Sequence, residues 1–202
     1  MQIAVMVCGA LAVAAGWGFV AAGRRSVLRI LPAIHLVLGV LSFVVRDQAL
    51  ARDVSTGRAL VGGLASGFAM YVATRIVVSI AVGSASLRRQ VELTYASAEG
   101  PLVTQLAASL IVSVPGEELF WRGLFLPRLG GGVAGVAAST LAYVGANAPS
   151  RRAPIVAGAL VGGALWTGLA AWSGGVLAPI ASHMLWTGLM LALPPSAARS
   201  RA

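Results

Sequence analysis

Residues 102–126 read LVTQLAASLIVSVPGEELFWRGLFL, and the fold turns on this stretch. It is long enough for a membrane helix, which needs ~20 predominantly apolar residues to cross about 30 Å of hydrocarbon. Yet Glu117, Glu118 and Arg122 fall close together within it, just after Pro115. A charge at the centre of a membrane helix costs roughly 2.5–3.5 kcal/mol on insertion scales, so charges there need partners and mark a functional site. Pro115 predicts a kink or a break.

Working outward, six more apolar runs surround this one: Ile3–Gly23, Val27–Val45, Ala59–Gly83, Gly131–Ala148, Ala153–Trp172 and Val176–Leu193. The expected fold is all-α, a polytopic membrane helix bundle of about seven spans. The count is six if the short second or fifth run is re-entrant. The chain is 58% apolar and 10% charged, against about 45–50% and 25% in soluble domains, which excludes an ordinary soluble fold. A single membrane domain over 1–202 is expected, with three N-terminal spans (1–83), a core (84–195) and a short tail (196–202). Ser84–Gly100 reads either as an amphipathic interfacial helix or as a solvated connector. Gly63/Gly67, Gly131/Gly135 and Gly158/Gly162 have the spacing that lets helix backbones approach closely.

The formal net charge of +9 comes from arginines scattered between apolar runs, with no lysine. That is the pattern of charges at membrane ends, so no nucleic-acid partner is expected. With seven spans, Arg24, Arg25, Arg29, Arg88, Arg89, Arg151, Arg152, Arg199 and Arg201 share one side. Arg46, Arg52, Arg58 and Arg128 share the other. The bias places the N-terminus outside and the C-terminus in the cytoplasm. The first run has no basic segment before it and reads as a retained span. Cys8 is the only cysteine, which excludes an intrachain disulfide.

Glu118 and Arg122 are i,i+4 and can pair on one helix face. Glu117 is rotated by about 100° and is left over. A carboxylate left without a counter-charge in an apolar site suits a general base. The other reading is a structural ion pair between helices. His183 lies mid-span in the last run with Thr187 one turn later, and Tyr143 and Asn147 are i,i+4 in the fifth. His35, in the second run, reads as a packing histidine. Arg75 lies near the end of its run and can snorkel.

The order Glu-Glu-x-x-x-Arg, then aromatic-x-x-x-polar, then His-x-x-x-polar resembles the CPBP family. This family comprises the CAAX prenyl proteases of the Rce1 type and their bacterial relatives. The resemblance covers roughly residues 85–195 and implies a bundle with a polar cavity inside the membrane. It also implies proteolysis of a membrane-bound or lipidated peptide or protein. By position, Glu117 would activate water, Glu118 and Arg122 would orient it, and His183 would bind the water or polarise the scissile carbonyl. Two positions depart from the family pattern. Asn147 stands where the second motif has histidine, behind Tyr143, and Thr187 stands where asparagine is common. Asn147 can donate a hydrogen bond but cannot take up a proton. No cofactor is expected. A zinc site on Glu117, Glu118 and His183 is conceivable but poorly furnished, with no HExxH, one cysteine in the first run and one histidine at the motif.

Three functions follow from the sequence. The first is a glutamate-dependent intramembrane endopeptidase, in contact with membrane lipid and placed in a bacterial plasma membrane. The second is a catalytically silent relative that acts as a membrane regulatory or binding protein. The third is a small transporter or channel.

Overall fold

The computed structural model describes residues 1–23, 26–45, 50, 54–97 and 100–195. Six of the arginines behind the sidedness reading (Arg24, Arg25, Arg46, Arg52, Arg199 and Arg201) lie outside these residues, as does most of the polar loop 46–58.

Among the described residues there are helices and no strands. The chain runs through α1 (Gln2–Ala21), α2 (Val27–Val45), α3 (Thr56–Ala81) and α4 (Ala85–Ala96). It continues in α5 (102–129), α6 (Val133–Asn147), α7 (Ala153–Ser173) and α8 (Leu177–Ala192). Each of the seven apolar runs is therefore helical. Four of these helices, α1, α2, α3 and α7, are long and apolar enough to cross a membrane, and α8 is apolar but shorter.

Local chemistry sets the boundaries. Ser55 accepts a hydrogen bond from the Arg58 amide at the start of α3, an N-cap that satisfies one of the free donors of the first turn. Gly174 ends α7 with φ of 68°, a left-handed position that glycine adopts without strain. Gly130 closes α5 in the same half of φ space, at 83°.

The solvent pattern is inverted relative to a soluble protein. Ile80 on α3 is 74% exposed, whereas Arg122 is 1% exposed. Val61, Phe68, Val37 and Val44 also face outward. Apolar outer faces around a charged interior are what a lipid solvent requires. With the helices above, they define an integral membrane protein.

The helices pack as close neighbours: α1 on α2, α2 on the middle of α5, α3 on α8, and α7 against both α6 and α8. The three glycine pairs behave differently. A Cβ at Gly63 or Gly67 would collide with the backbone of Ala178 or Ser182, so that pair does seat α3 on α8. Gly135 instead faces the carbonyls of its own turn at Leu129 and Gly130, and Gly158 faces open space. Spacing alone does not distinguish a helix crossing from a tight turn.

Residues 84–97 resolve to a docked helix rather than a bare connector. Val91 of α4 is buried. Gln90 Oε1 accepts from the Ala153 amide at 2.7 Å, which satisfies a free donor at the start of α7. The Tyr95 hydroxyl donates to the Met190 carbonyl at 3.3 Å, and burial pushes its phenol well above the ordinary range. Arg75 does more than snorkel: it donates to the Tyr71 hydroxyl at 2.9 Å and to the Leu193 carbonyl at 3.1 Å, closing the end of α8.

Candidate active site

The two adjacent carboxylates lie in the α-helical turn Val114–Glu118 at the middle of α5. Helix α5 does not break at Pro115. Instead, π-helical stretches Ala107–Ser113 and Leu119–Phe125 flank that turn. Pro115 stands in the first turn after a widened segment, where its missing N–H and bulky ring are tolerated. Widened turns re-phase the side chains that follow them and recur at functional sites.

Glu118 is fully buried. Its Oε1 accepts from Arg122 at 3.2 Å and from His183 Nδ1 at 2.8 Å. A carboxylate only accepts, so Nδ1 of His183 carries the hydrogen and Nε2 is left for another partner. Arg122 is anchored further by Thr167 Oγ1 at 3.3 Å and the Gly163 carbonyl at 3.4 Å. Its guanidinium also lies 4.7 Å from the centre of the Tyr143 ring, a cation–π distance. His183 stacks on Trp166 with ring centroids 3.6 Å apart. The pair read from i,i+4 spacing is present, and a histidine from α8 completes it.

Glu117 has different partners. The Tyr143 hydroxyl donates to its Oε1 in a short hydrogen bond. Its Oε2 lies 3.7 Å from His35 Nδ1. The turn at Gly130 brings Tyr143 back level with Glu117.

The polar partner of that motif points elsewhere. Asn147 is buried, but its Nδ2 donates to the Tyr143 carbonyl of its own helix at 2.8 Å. Thr187 is half-buried in α8, and the hydrogen bonds of Glu117 and Glu118 among the described residues do not involve it. Sequence reasoning missed His35. Its ring is 3% exposed and its Nδ1 lies 2.7 Å from Ser113 Oγ. A signal was available: His35, Gly39 and Ser42 share one face of α2, and a glycine beside a polar residue marks a close crossing.

Glu117, Glu118 and His183 do not fit a zinc ion. Arg122 and His183 share Glu118 Oε1, Tyr143 holds Glu117 Oε1, and a guanidinium 3.2 Å from a carboxylate oxygen would repel a cation. Among the described residues, no group of three or more His, Cys, Asp or Glu is placed to hold a metal ion.

A helical bundle with apolar outer faces and a buried Glu–Glu–Arg–His cluster is an integral membrane protein with an ionisable centre. Residues 99–189 match the family model described as type II CAAX prenyl endopeptidase, Rce1-like. Over that region, just under half of the chain, the protein is similar to the Rce1-like family. The region holds both carboxylates, Arg122, Tyr143, Asn147, His183 and Thr187, but not His35. No curated protein and no solved structure matches the chain.

Proposed function

We propose that the protein is an intramembrane endopeptidase that hydrolyses a peptide bond in a membrane-bound or lipidated substrate, using water activated by Glu117. The observation that carries this reading is the unequal treatment of neighbouring carboxylates. Arg122 and His183 bind Glu118, whereas Glu117 meets no guanidinium among the described residues and offers Oε2 to a reactant. The water oxygen bonds to the scissile carbonyl carbon as Glu117 takes its proton. Glu117 then returns the proton to the leaving amine as the C–N bond breaks. His183 holds the water through Nε2, with Glu118 fixing the tautomer and Arg122 holding Glu118. In this proposal the bundle spans the membrane about seven times with its C-terminus in the cytoplasm, and the reaction needs no metal.

The test compares wild type with Glu117→Gln in reconstituted vesicles carrying a prenylated CAAX peptide, and in whole membranes read by N-terminal proteomics. New N-termini should appear with wild type and fall by about 10²–10⁴-fold with Glu117→Gln. Cleavage that survives the substitution overturns the proposal. One observation favours a second reading, a catalytically silent membrane regulator: the Asn147 amide is spent on its own helix. That reading expects Glu117→Gln to leave the cellular phenotype intact.

A further inference from the structure

His35 comes from α2, outside the residues matched by the family model. Three observations separate it from a packing histidine. First, the ring is nine-tenths or more buried, yet its Nε2 has no hydrogen-bond partner among the described residues. Buried polar atoms in a purely structural role are ordinarily paired.

Second, the other nitrogen is fixed in place. Nδ1 lies 2.7 Å from Ser113 Oγ and 3.7 Å from Glu117 Oε2, the carboxylate oxygen that Tyr143 leaves open. Ser113 and Glu117 fall on either side of Pro115 on α5, and His35 meets both.

Third, the backbone is arranged for this contact. A Cβ at Gly39 would lie 2.7 Å from Gly116 Cα, and a Cβ at Gly116 would collide with the His35 carbonyl oxygen. Helices α2 and α5 thus cross with no side chain between them, one residue before Glu117. Meanwhile Asn147, in the second motif, donates into its own helix and has no group that can hold a proton.

We propose that His35 is the positioning residue of Glu117: it orients the Oε2 side of the carboxylate and supplies, from α2, the imidazole that position 147 lacks. The proposal rests on the endopeptidase reading above. No bond to His35 forms or breaks; the ring, held by Ser113, sets the direction in which Oε2 meets the water. The groups facing it are Ser113, Glu117 and, further off, Glu118 and His183.

The chain has two histidines, so ¹⁵N-histidine labelling gives two ring spin systems, assigned by their loss in His35→Gln and His183→Gln. Glu117→Gln should move the His35 ring signals more than those of His183, and Glu118→Gln should do the reverse. A His35 ring unmoved by Glu117→Gln overturns the proposal. Cleavage gives the second readout. His35→Ala should lower kcat by about 100-fold at unchanged KM, the scale of a misplaced catalytic group. His35→Asn, which keeps a hydrogen-bonding group near the Nδ1 position, should recover part of that loss. Should His35→Ala not fold, Ser113→Ala removes only the hydroxyl that holds the ring and should lower kcat by about 2–10-fold, the factor one hydrogen bond carries. Unchanged kcat in these variants, with cleavage abolished in Glu117→Gln, removes this proposal alone. Cleavage that survives Glu117→Gln removes the endopeptidase reading and this proposal with it.

Discussion

Helix α2 crosses α5, and α3 crosses α8, by the same means: glycine lies against backbone at both crossings. At the first, Gly39 meets Gly116 and the neighbouring side chain is His35, which reaches the open side of Glu117. At the second, Gly63 and Gly67 meet Ala178 and Ser182, and what crosses is a Ser66–Ser182 hydroxyl contact of 3.1 Å. Further along α3, the Trp186 indole donates to Thr74 Oγ1 at 3.1 Å. Helix α3 thus braces α8 behind His183 without sending a side chain to the carboxylates. Close approach is a general device, and the residue beside the glycine decides whether it serves packing or chemistry. The N-terminal helices outside the family-matched region are therefore not equivalent. One contributes to the site and another supports it.

The largest expected effect comes from removing the buried guanidinium that holds Glu118. Arg122→Met leaves Glu118 fully buried without its guanidinium, and breaking a buried pair from one side costs about 3–5 kcal/mol. Unfolding in mixed micelles titrated with SDS should show this loss. The double variant Arg122→Met/Glu118→Gln should regain most of it, because no unpaired charge then remains. A double variant no more stable than the single would mean that packing of Arg122, rather than its charge, holds the centre.

Next come the crossings themselves. Gly116→Ala and Gly67→Ala each force a methyl group into backbone, and overpacking of this kind costs about 1–3 kcal/mol. Stability should fall alike in both. The histidine ring signals should separate them, since Gly116→Ala displaces His35 and Gly67→Ala displaces His183, the residue after Ser182. If both variants disturb the same ring, the two crossings do not act independently and the comparison breaks.

Much of the fold was legible because lipid imposes one rule. Backbone polar groups must be satisfied within each span, so long apolar runs become helices. The expected Val27–Val45 is the observed α2 to the residue, and the expected Ala153–Trp172 is one residue short of α7. The widened turns of α5 were not legible, because they answer to Pro115 and to neighbouring helices rather than to composition. In the site, Glu118–Arg122 could be read because both residues lie on one helix, four apart. The contacts of Glu117 could not, because Tyr143 and His35 reach it from other helices. Asn147 shows the converse. Its spacing marks it as a partner of the motif, but an amide can bond to the carbonyl one turn back on its own helix instead.

The smallest effect sharpens the comparison most. Ser66 and Ser113 each supply one hydroxyl to a glycine crossing, Ser66 to Ser182 Oγ and Ser113 to His35 Nδ1 at 2.7 Å. Interhelical hydrogen bonds inside a membrane bundle average about 0.6 kcal/mol, so Ser66→Ala and Ser113→Ala should be nearly matched in SDS unfolding. They should not be matched in turnover. Ser113→Ala frees the ring that orients Glu117 and lowers kcat, whereas Ser66→Ala leaves it unchanged, because the Ser66 hydroxyl meets Ser182 and not the carboxylates. Equal losses of kcat at equal stability would mean that the α3 crossing also positions the reacting groups, through Ser182 and its neighbour His183.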